Sequence, residues 1–242
     1  MSYLHTDQIT IDFLVPYGGN GGVEHVLNEL ANYLLDNNVH VRVIQLEKYT
    51  CRWVDSRIDY YPISTNRPVK DITDYIPMCE QYLNILGAPD ILIATPWPML
   101  TMIARLALIN TNSNSKLISW LHGPVETYEQ NAYGGVESLR YADLVMVLSR
   151  KSYHYIRSSN PTINVKLICN PIHIDELPFH PEYNIACHNL IFIGRLSEEK
   201  KVNIILKALS LTHDCWNLSI YGDGDKLHEL QQLTDALNIA NR

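Results

Sequence analysis

The feature that most constrains this chain is an alternation: short, continuously apolar runs take turns with segments whose apolar residues recur every three or four positions. Runs at 8–15, 39–46, 90–94, 116–121, 144–148 and 165–168 read as strands, and segments at 23–35, 72–86, 98–109, 136–141 and 150–158 read as helices. A strand with one wet face alternates in polarity. These runs are apolar throughout, so helices must cover the sheet on both sides, which a parallel sheet with helical crossovers provides. The expectation is one α/β, doubly wound, Rossmann-like domain over residues 1–170.

Between Asn170 and His188 the periodicity lapses, and Pro171, Pro178 and Pro181 punctuate the chain, so 171–188 reads as a linker. The alternation then restarts with strands at 190–193 and 218–221 and helices at 202–211 and 226–237. Residues 189–242 are therefore expected to form a partial second Rossmann-like domain. So few elements bury little surface on their own, and the last strand would present an unpaired edge. On this reading the chain is incomplete at its C-terminus.

Several function classes fall away. No apolar run approaches the ~18–20 residues that span a bilayer, and the polar start at 1–8 lacks the basic and apolar regions of a secretory signal, which makes the cytoplasm the expected location. Lys and Arg number 19 against 26 Asp and Glu, a formal net charge of −7, with no basic cluster to track a phosphate backbone, so nucleic acid is not an expected partner. Small anions stay open, since a few cations in a cleft suffice. Cys51, Cys79, Cys169, Cys187 and Cys215 are odd in number and include no C-x-x-C, and they read as reduced, mostly buried thiols.

Chemistry-bearing residues concentrate just after the strands. Gly18-Gly19-Asn20-Gly21-Gly22 lies between a strand and a helix, where backbone N–H groups and the helix dipole favour an anion. The bland alternative is a tight turn. Gly19-x-Gly21 also begins a dinucleotide fingerprint, with Glu47 placed as its ribose acid, but Glu24 stands where the third glycine belongs. His122, at a strand end before Gly123-Pro124, is either a ligand contact or a hydrogen-bonded structural histidine. Arg195 and Lys200 follow a strand and suit a diphosphate, unless they merely pair with Glu198 and Glu199. Asp223-Gly224-Asp225 spells D-x-D, yet its glycines read as a turn, and no tight metal or cofactor is expected. His173, His180 and His188 match no ligand spacing. Glu24, Glu126 and Glu137 cannot be placed at a hydrolytic distance from sequence, and Ser149 lacks a G-x-S-x-G frame.

Five of these features stand in the order of one known family. Gly21-Gly22-Val23-Glu24 after the first strand resembles the G-G-x-E start of the family-4 retaining glycosyltransferases. Trp120-Leu121-His122-Gly123-Pro124, Asn170-Pro171, Gly194-Arg195-Leu196-Ser197-Glu198-Glu199-Lys200 and Tyr221-Gly222-Asp223-Gly224 follow, so the resemblance spans nearly the whole chain. It implies the GT-B architecture, an acceptor-side first domain and a donor-nucleotide-binding second one. By the same resemblance a nucleotide-sugar is the donor, and a glycan or glycolipid of the cell-surface polysaccharide or lipopolysaccharide type is the acceptor. His122 would contact the transferred sugar near the reacting carbon. Gly21, Gly22, Arg195, Lys200, Gly222, Asp223 and Gly224 would hold the donor and its phosphates, with Glu24 and Asn170 in support.

Two departures qualify the match. Lys201 stands where family members often have glycine, and the family's E-x(7)-E loop is not present. The chain is then expected to be a weak or inactive shortened transferase, or an acceptor-binding half-enzyme completed by a partner chain. Contact with the inner face of a membrane is a further expectation, because Cys51, Arg52, Trp53, Arg57, Tyr60, Tyr61, Arg67 and Lys70 mix aromatics with cations. An irregular surface connection, diluted by Asp55, Asp59 and Asp71, is the alternative.

Overall fold

The computed structural model describes residues 8–19, 21–47, 52–63, 69, 71–171, 188–212 and 215–242. It divides into two compact units, Met1–Asp175 and Glu176–Arg242. The linker expected at 171–188 falls almost wholly outside the described residues.

In the first unit, β1 (Thr10–Val15), β2 (His40–Gln45), β3 (Asp59–Pro62), β4 (Ile91–Ala94), β5 (Lys116–Leu121), β6 (Leu144–Val147) and β7 (Val165–Leu167) form one parallel sheet in the order β3-β2-β1-β4-β5-β6-β7. Between them run α1 (Gly22–Asp36), α2 (Tyr75–Leu86), α3 (Pro98–Asn110), α4 (Val125–Gln130), α5 (Val136–Leu139) and α6 (Arg150–Ser159). Burial on both faces explains the unbroken apolar runs. Phe13 and Val15 pack with Val26, Leu27 and Ala31 of α1, whereas Leu14 of the same strand packs with Tyr82 of α2 and Leu100 and Ile103 of α3. Each such side chain removed from water contributes about 1.5–3 kcal/mol. The chain winds from β1 out to β3 and then returns to the other side of β1, so the topology reverses between β1 and β4.

Two elements carry no signal of their own in the sequence. β3 lies in the stretch expected as an irregular connection, because Asp59-Tyr60-Tyr61-Pro62 is an exposed to half-buried edge strand, a place where proline is tolerated. α4 is six residues long with only Val125 buried, too short to show a period. The cysteines also differ from expectation. Cys79 is buried in α2, but Cys169 and Cys215, on segments next to β7 and the last strand, are exposed.

One buried ion pair ties the sheet to a helix end. Asp12 and Arg42 are register partners on β1 and β2, 0% and 7% exposed. Arg42 Nε and Nη2 donate to the two Asp12 carboxylate oxygens at 2.6 and 2.8 Å, and Nη1 and Nη2 donate to the carbonyls of Leu86 and Gly87 at 2.8 and 3.0 Å. The guanidinium thereby satisfies carbonyls that the end of α2 leaves without intrahelical partners.

In the second unit, β8 (Asn189–Ile193) pairs in parallel with β9 (Asn217–Tyr221), and α7 (Val202–Ser210) and α8 (Leu227–Ala236) cover one face. Its core is Leu196, Val202, Leu206, Leu209, Leu230 and Ile239, with Phe192 and Leu218 packed against it. On the opposite face Ile191 and Ile193 are 66% and 79% exposed.

A partner-deletion series tests the ion pair. Asp12→Ala should lower the stability of the first unit by about 3–5 kcal/mol in urea unfolding, and the apolar pair Asp12→Leu with Arg42→Met should recover much of that loss. Equal losses in the two variants would show that the orphaned charge is not the cause.

Candidate functional site

The described site residues of the first unit stand past the carboxyl ends of its strands: Gly21, Gly22 and Glu24 after β1, His122 after β5 and Asn170 after β7. Gly21 is the extended N-cap of α1, with no side chain capping the helix, and its carbonyl accepts the His25 N–H at 3.1 Å. The first-turn amides of α1 are therefore open to an anion, and Glu24 stands half-buried in that turn. Gly22 has open space around it, whereas a Cβ on Gly18 would overlap the Trp53 indole, whose N–H donates to Gln45 Oε1 at 2.6 Å. Gly18 is thus a packing glycine and Gly22 is not. Asn20 lies outside the described residues.

His122 follows β5, its ring 4.5 Å from that of Trp120. Burial lowers its pKa to about 4, so the imidazole is neutral near pH 7. Among the described residues its Nε2 is buried and has no hydrogen-bond partner. The expected bland role, a hydrogen-bonded structural histidine, is not what this nitrogen displays. Asn170, half-buried beyond β7, likewise has an unpartnered Oδ1 among the described residues.

An aromatic cluster that the sequence reading missed lies along the same edge. Tyr17 follows β1, and Trp97 follows β4 through the cis Thr95–Pro96 peptide. The Trp97 ring stacks on Tyr133 at 4.6 Å and 12° and meets Tyr17 in a T-shaped contact at 5.4 Å. Tyr75 packs 6.4 Å from Trp97, and its hydroxyl donates to the Glu47 carboxylate. The Tyr128 hydroxyl, pushed up to about 12 mainly by burial, sits over the backbone amides of His122 and Gly123. Its only sequence signal was position: Tyr17 and Trp97 stand just past strands.

The stretch considered for membrane contact is occupied internally where it is described. The Arg52 guanidinium donates to the carbonyls of Val54, Asp55 and Ile58 at 3.0, 2.9 and 2.6 Å, and Tyr60 donates to Gln45 at 2.9 Å. Arg57 pairs with Asp36 at 2.9 Å. Cys51, Arg67 and Lys70 lie outside the described residues. Of the carboxylates weighed for hydrolysis, Glu126 pairs with Lys151 at 3.0 Å and Glu137 with Arg140 at 3.4 Å.

In the second unit the backbone ladder continues past the strands. Gly194 N–H donates to Tyr221 at 3.0 Å, Leu196 N–H to Asp223 at 2.8 Å, and Lys226 N–H to Leu196 at 2.9 Å. A Cβ on Gly222 would overlap the Gly194 carbonyl oxygen, and one on Gly224 the Leu196 carbonyl oxygen. The two glycines let the loops lie against each other and so fix the turn that carries Arg195. Asp223 turns its carboxylate onto the Gly224 N–H at 2.7 Å. Among the described residues no group of three or more His, Cys, Asp or Glu is arranged to hold a metal ion.

Arg195 is exposed and makes no ion pair among the described residues, while Lys200 lies 3.5 Å from Glu199. Glu198 pairs with Lys201 at 2.6 Å, so of the alternative pairings weighed for this loop only Lys200 with Glu199 is found among the described residues. Lys201 itself has φ 53° and ψ 34°, a left-handed conformation that favours glycine. A glycine at this position would adopt the same backbone without strain. A cavity of about 250 Å³ between α7 and α8 is lined by Ser197, Glu198, Lys207 and Lys226, and neither Arg195 nor Lys200 lines it.

The depressed His122 pKa sets a pH test. Between about pH 6.5 and about pH 4 the unfolded imidazole binds a proton that the folded one refuses, so His122 costs stability as the pH falls through this window. Urea unfolding at pH 7 and about pH 5 should show a larger acid loss for the natural chain than for His122→Gln. Equal losses would contradict a buried, neutral His122.

The family model for Glycosyltransferase Family 4 matches residues 20–176. An uncharacterized glycosyltransferase of Methanocaldococcus jannaschii is 27% identical over 178 residues, which cover 63% of this chain and 44% of the relative. Among solved structures, the apo form of the lipopolysaccharide outer core galactosyltransferase WaaB superposes with a TM-score of 0.75 at 21% identity, over 97% of this chain and 66% of that one. Anabaena HepE in complex with UDP and glucose gives 0.72 at 20% identity, over 97% and 68%. The chain thus spans about half to two thirds of the length of these proteins, and its α/β fold is of the GT-B type. With more than half of its residues inside the family match, the chain belongs to Glycosyltransferase Family 4.

Proposed function

We propose that this chain carries the site of a glycosyltransferase that moves a sugar from a nucleotide-sugar donor to a glycan or glycolipid acceptor, with retention at the transferred carbon. The observation that carries the reading is Arg195: an exposed guanidinium without an ionic partner among the described residues, on a turn fixed by Gly222 and Gly224, with Lys200 on the same loop. As the bond between sugar and phosphate breaks, negative charge grows on the leaving nucleotide. A cation already held in place interacts more strongly with that charge in the transition state than in the ground state, which lowers the barrier. Bidentate recognition of phosphate suits Arg195, and Lys200 adds a point charge.

On this reading the donor phosphate takes the proton of the acceptor hydroxyl. His122, with its pKa near 4, is too weak a base for that task at neutral pH and serves as a neutral hydrogen-bonding contact to the sugar. Anabaena HepE, solved in complex with UDP and glucose, makes uridine nucleotide-sugars the first donors to try. WaaB, a lipopolysaccharide galactosyltransferase, supports a cell-surface glycan as acceptor. A second reading, an acceptor-binding module completed by a partner chain, is favoured by the exposed apolar face at Ile191 and Ile193.

Thermal unfolding with UDP-, GDP- and ADP-sugars separates the two readings, because a ligand that binds only the folded state raises the midpoint. A rise with a UDP-sugar, lost in Arg195→Ala and Lys200→Ala, is the expected result. A rise that survives both substitutions would move the donor elsewhere, and no rise with any donor would favour the partner-dependent module.

A further inference from the structure

We propose that Tyr17, Trp97 and Tyr133, bordered by Glu47, form a platform that binds the pyranose ring of a neutral glycan; its role as the acceptor subsite rests on the transferase reading above, whereas the binding itself does not. The cluster bridges the carboxyl ends of β1 and β4, the place where the sheet reverses direction and where open α/β sheets bind ligands. Trp97 is 6% exposed, stacked on Tyr133 and in T-shaped contact with Tyr17. Tyr133 covers Trp97 with one face yet remains 39% exposed, so its other face looks outward, beside a Tyr17 that is 48% exposed.

Packing alone does not account for the way Tyr133 is presented. The residues on either side, Ala132 and Gly134, both have positive φ, 60° and 88°. For Ala132, which carries a Cβ, this is a strained conformation. The Tyr133 N–H donates to Tyr128 and its carbonyl accepts the Met99 N–H at the start of α3, both at 2.9 Å, and a Cβ on Gly134 would meet the Met99 backbone. A strained turn thus pins the backbone of a residue whose ring stays in solvent. Nothing in the core needs that ring on its outer side.

The surroundings select the ligand. A pyranose offers an apolar C–H face and a rim of hydroxyls, which suits a flat aromatic surface with a fixed hydrogen-bond acceptor at its border. Glu47 is such an acceptor: Tyr75 holds one carboxylate oxygen, and the other has no partner among the described residues. A nucleobase would also stack, but its phosphates would meet Glu47 and Glu24 here, with no cation among the described residues of the aromatic cluster to offset them. A neutral sugar meets no such repulsion.

Saturation-transfer NMR on the purified chain tests this with methyl β-glucopyranoside, methyl β-galactopyranoside and methyl α-mannopyranoside, alongside UDP. Saturation should reach the ring C–H protons of at least one pyranoside. Tyr133→Ala should reduce it by roughly threefold or more, the scale of one aromatic contact, and Tyr133→Phe should retain it. Tyr17→Ala, which leaves the Trp97–Tyr133 stack and the Met99 hydrogen bond in place, should also reduce it. The UDP signal should be unchanged in all three variants. No transfer to any pyranoside, or equal transfer in the natural chain, Tyr133→Ala and Tyr17→Ala, would overturn the proposal, as would loss of the UDP signal in its place. A pyranoside signal with these properties in a chain that binds no UDP would sustain the platform and overturn the donor reading alone.

Discussion

Phe13 and Leu14 are adjacent on β1, point to opposite faces of the sheet, and are both fully buried. That double burial is the constraint from which the rest of the first unit follows. A strand covered on both faces has no side chain to offer a ligand along its length, so chemistry can be placed only at its ends. Tyr17 and the glycine loop after β1, Trp97 after β4 and His122 after β5 all stand at the carboxyl ends. The charged pair buried within the sheet, Asp12 with Arg42, is closed on itself and on the end of α2.

The two units divide the chemistry. The described residues at the edge of the first unit are aromatic and hydroxyl-bearing, with Glu47 as a fixed acceptor and His122 as a neutral imidazole. The turn that extends β8 and β9 in the second unit carries Arg195, exposed and without an ionic partner among the described residues, and two close backbone approaches hold it. Glycine serves differently in the two places: Gly222 and Gly224 permit backbones to touch, whereas Gly22 leaves a helix start uncovered.

Much of this was legible in the sequence because burial on both faces writes itself as unbroken apolar runs, and β1, β5 and α3 fall within a residue or so of where those runs end. β3 was not legible, because an edge strand of Asp59-Tyr60-Tyr61-Pro62 has neither apolar continuity nor alternation. Site residues adjacent in sequence, such as Arg195 and Lys200 or Gly222 and Gly224, could be found as motifs. The aromatic cluster could not, since the contacts of Tyr17, Trp97 and Tyr133 depend on sheet order and on a turn through Ala132 and Gly134. Lys201 shows the limit in the other direction. Its left-handed backbone is a conformation that a lysine in the sequence does not announce.

The central claim is that the turn after β8 and β9 holds the phosphates of the donor. Its most direct test is a titration of the isotope-labelled chain with uridine diphosphate, followed through the backbone amide signals. The account predicts shifts concentrated at residues 194–197 and 222–226, with smaller changes elsewhere in the second unit. Shifts confined to the lining of the cavity between α7 and α8 that lies outside that turn, Lys207 and Leu233 among them, would contradict it.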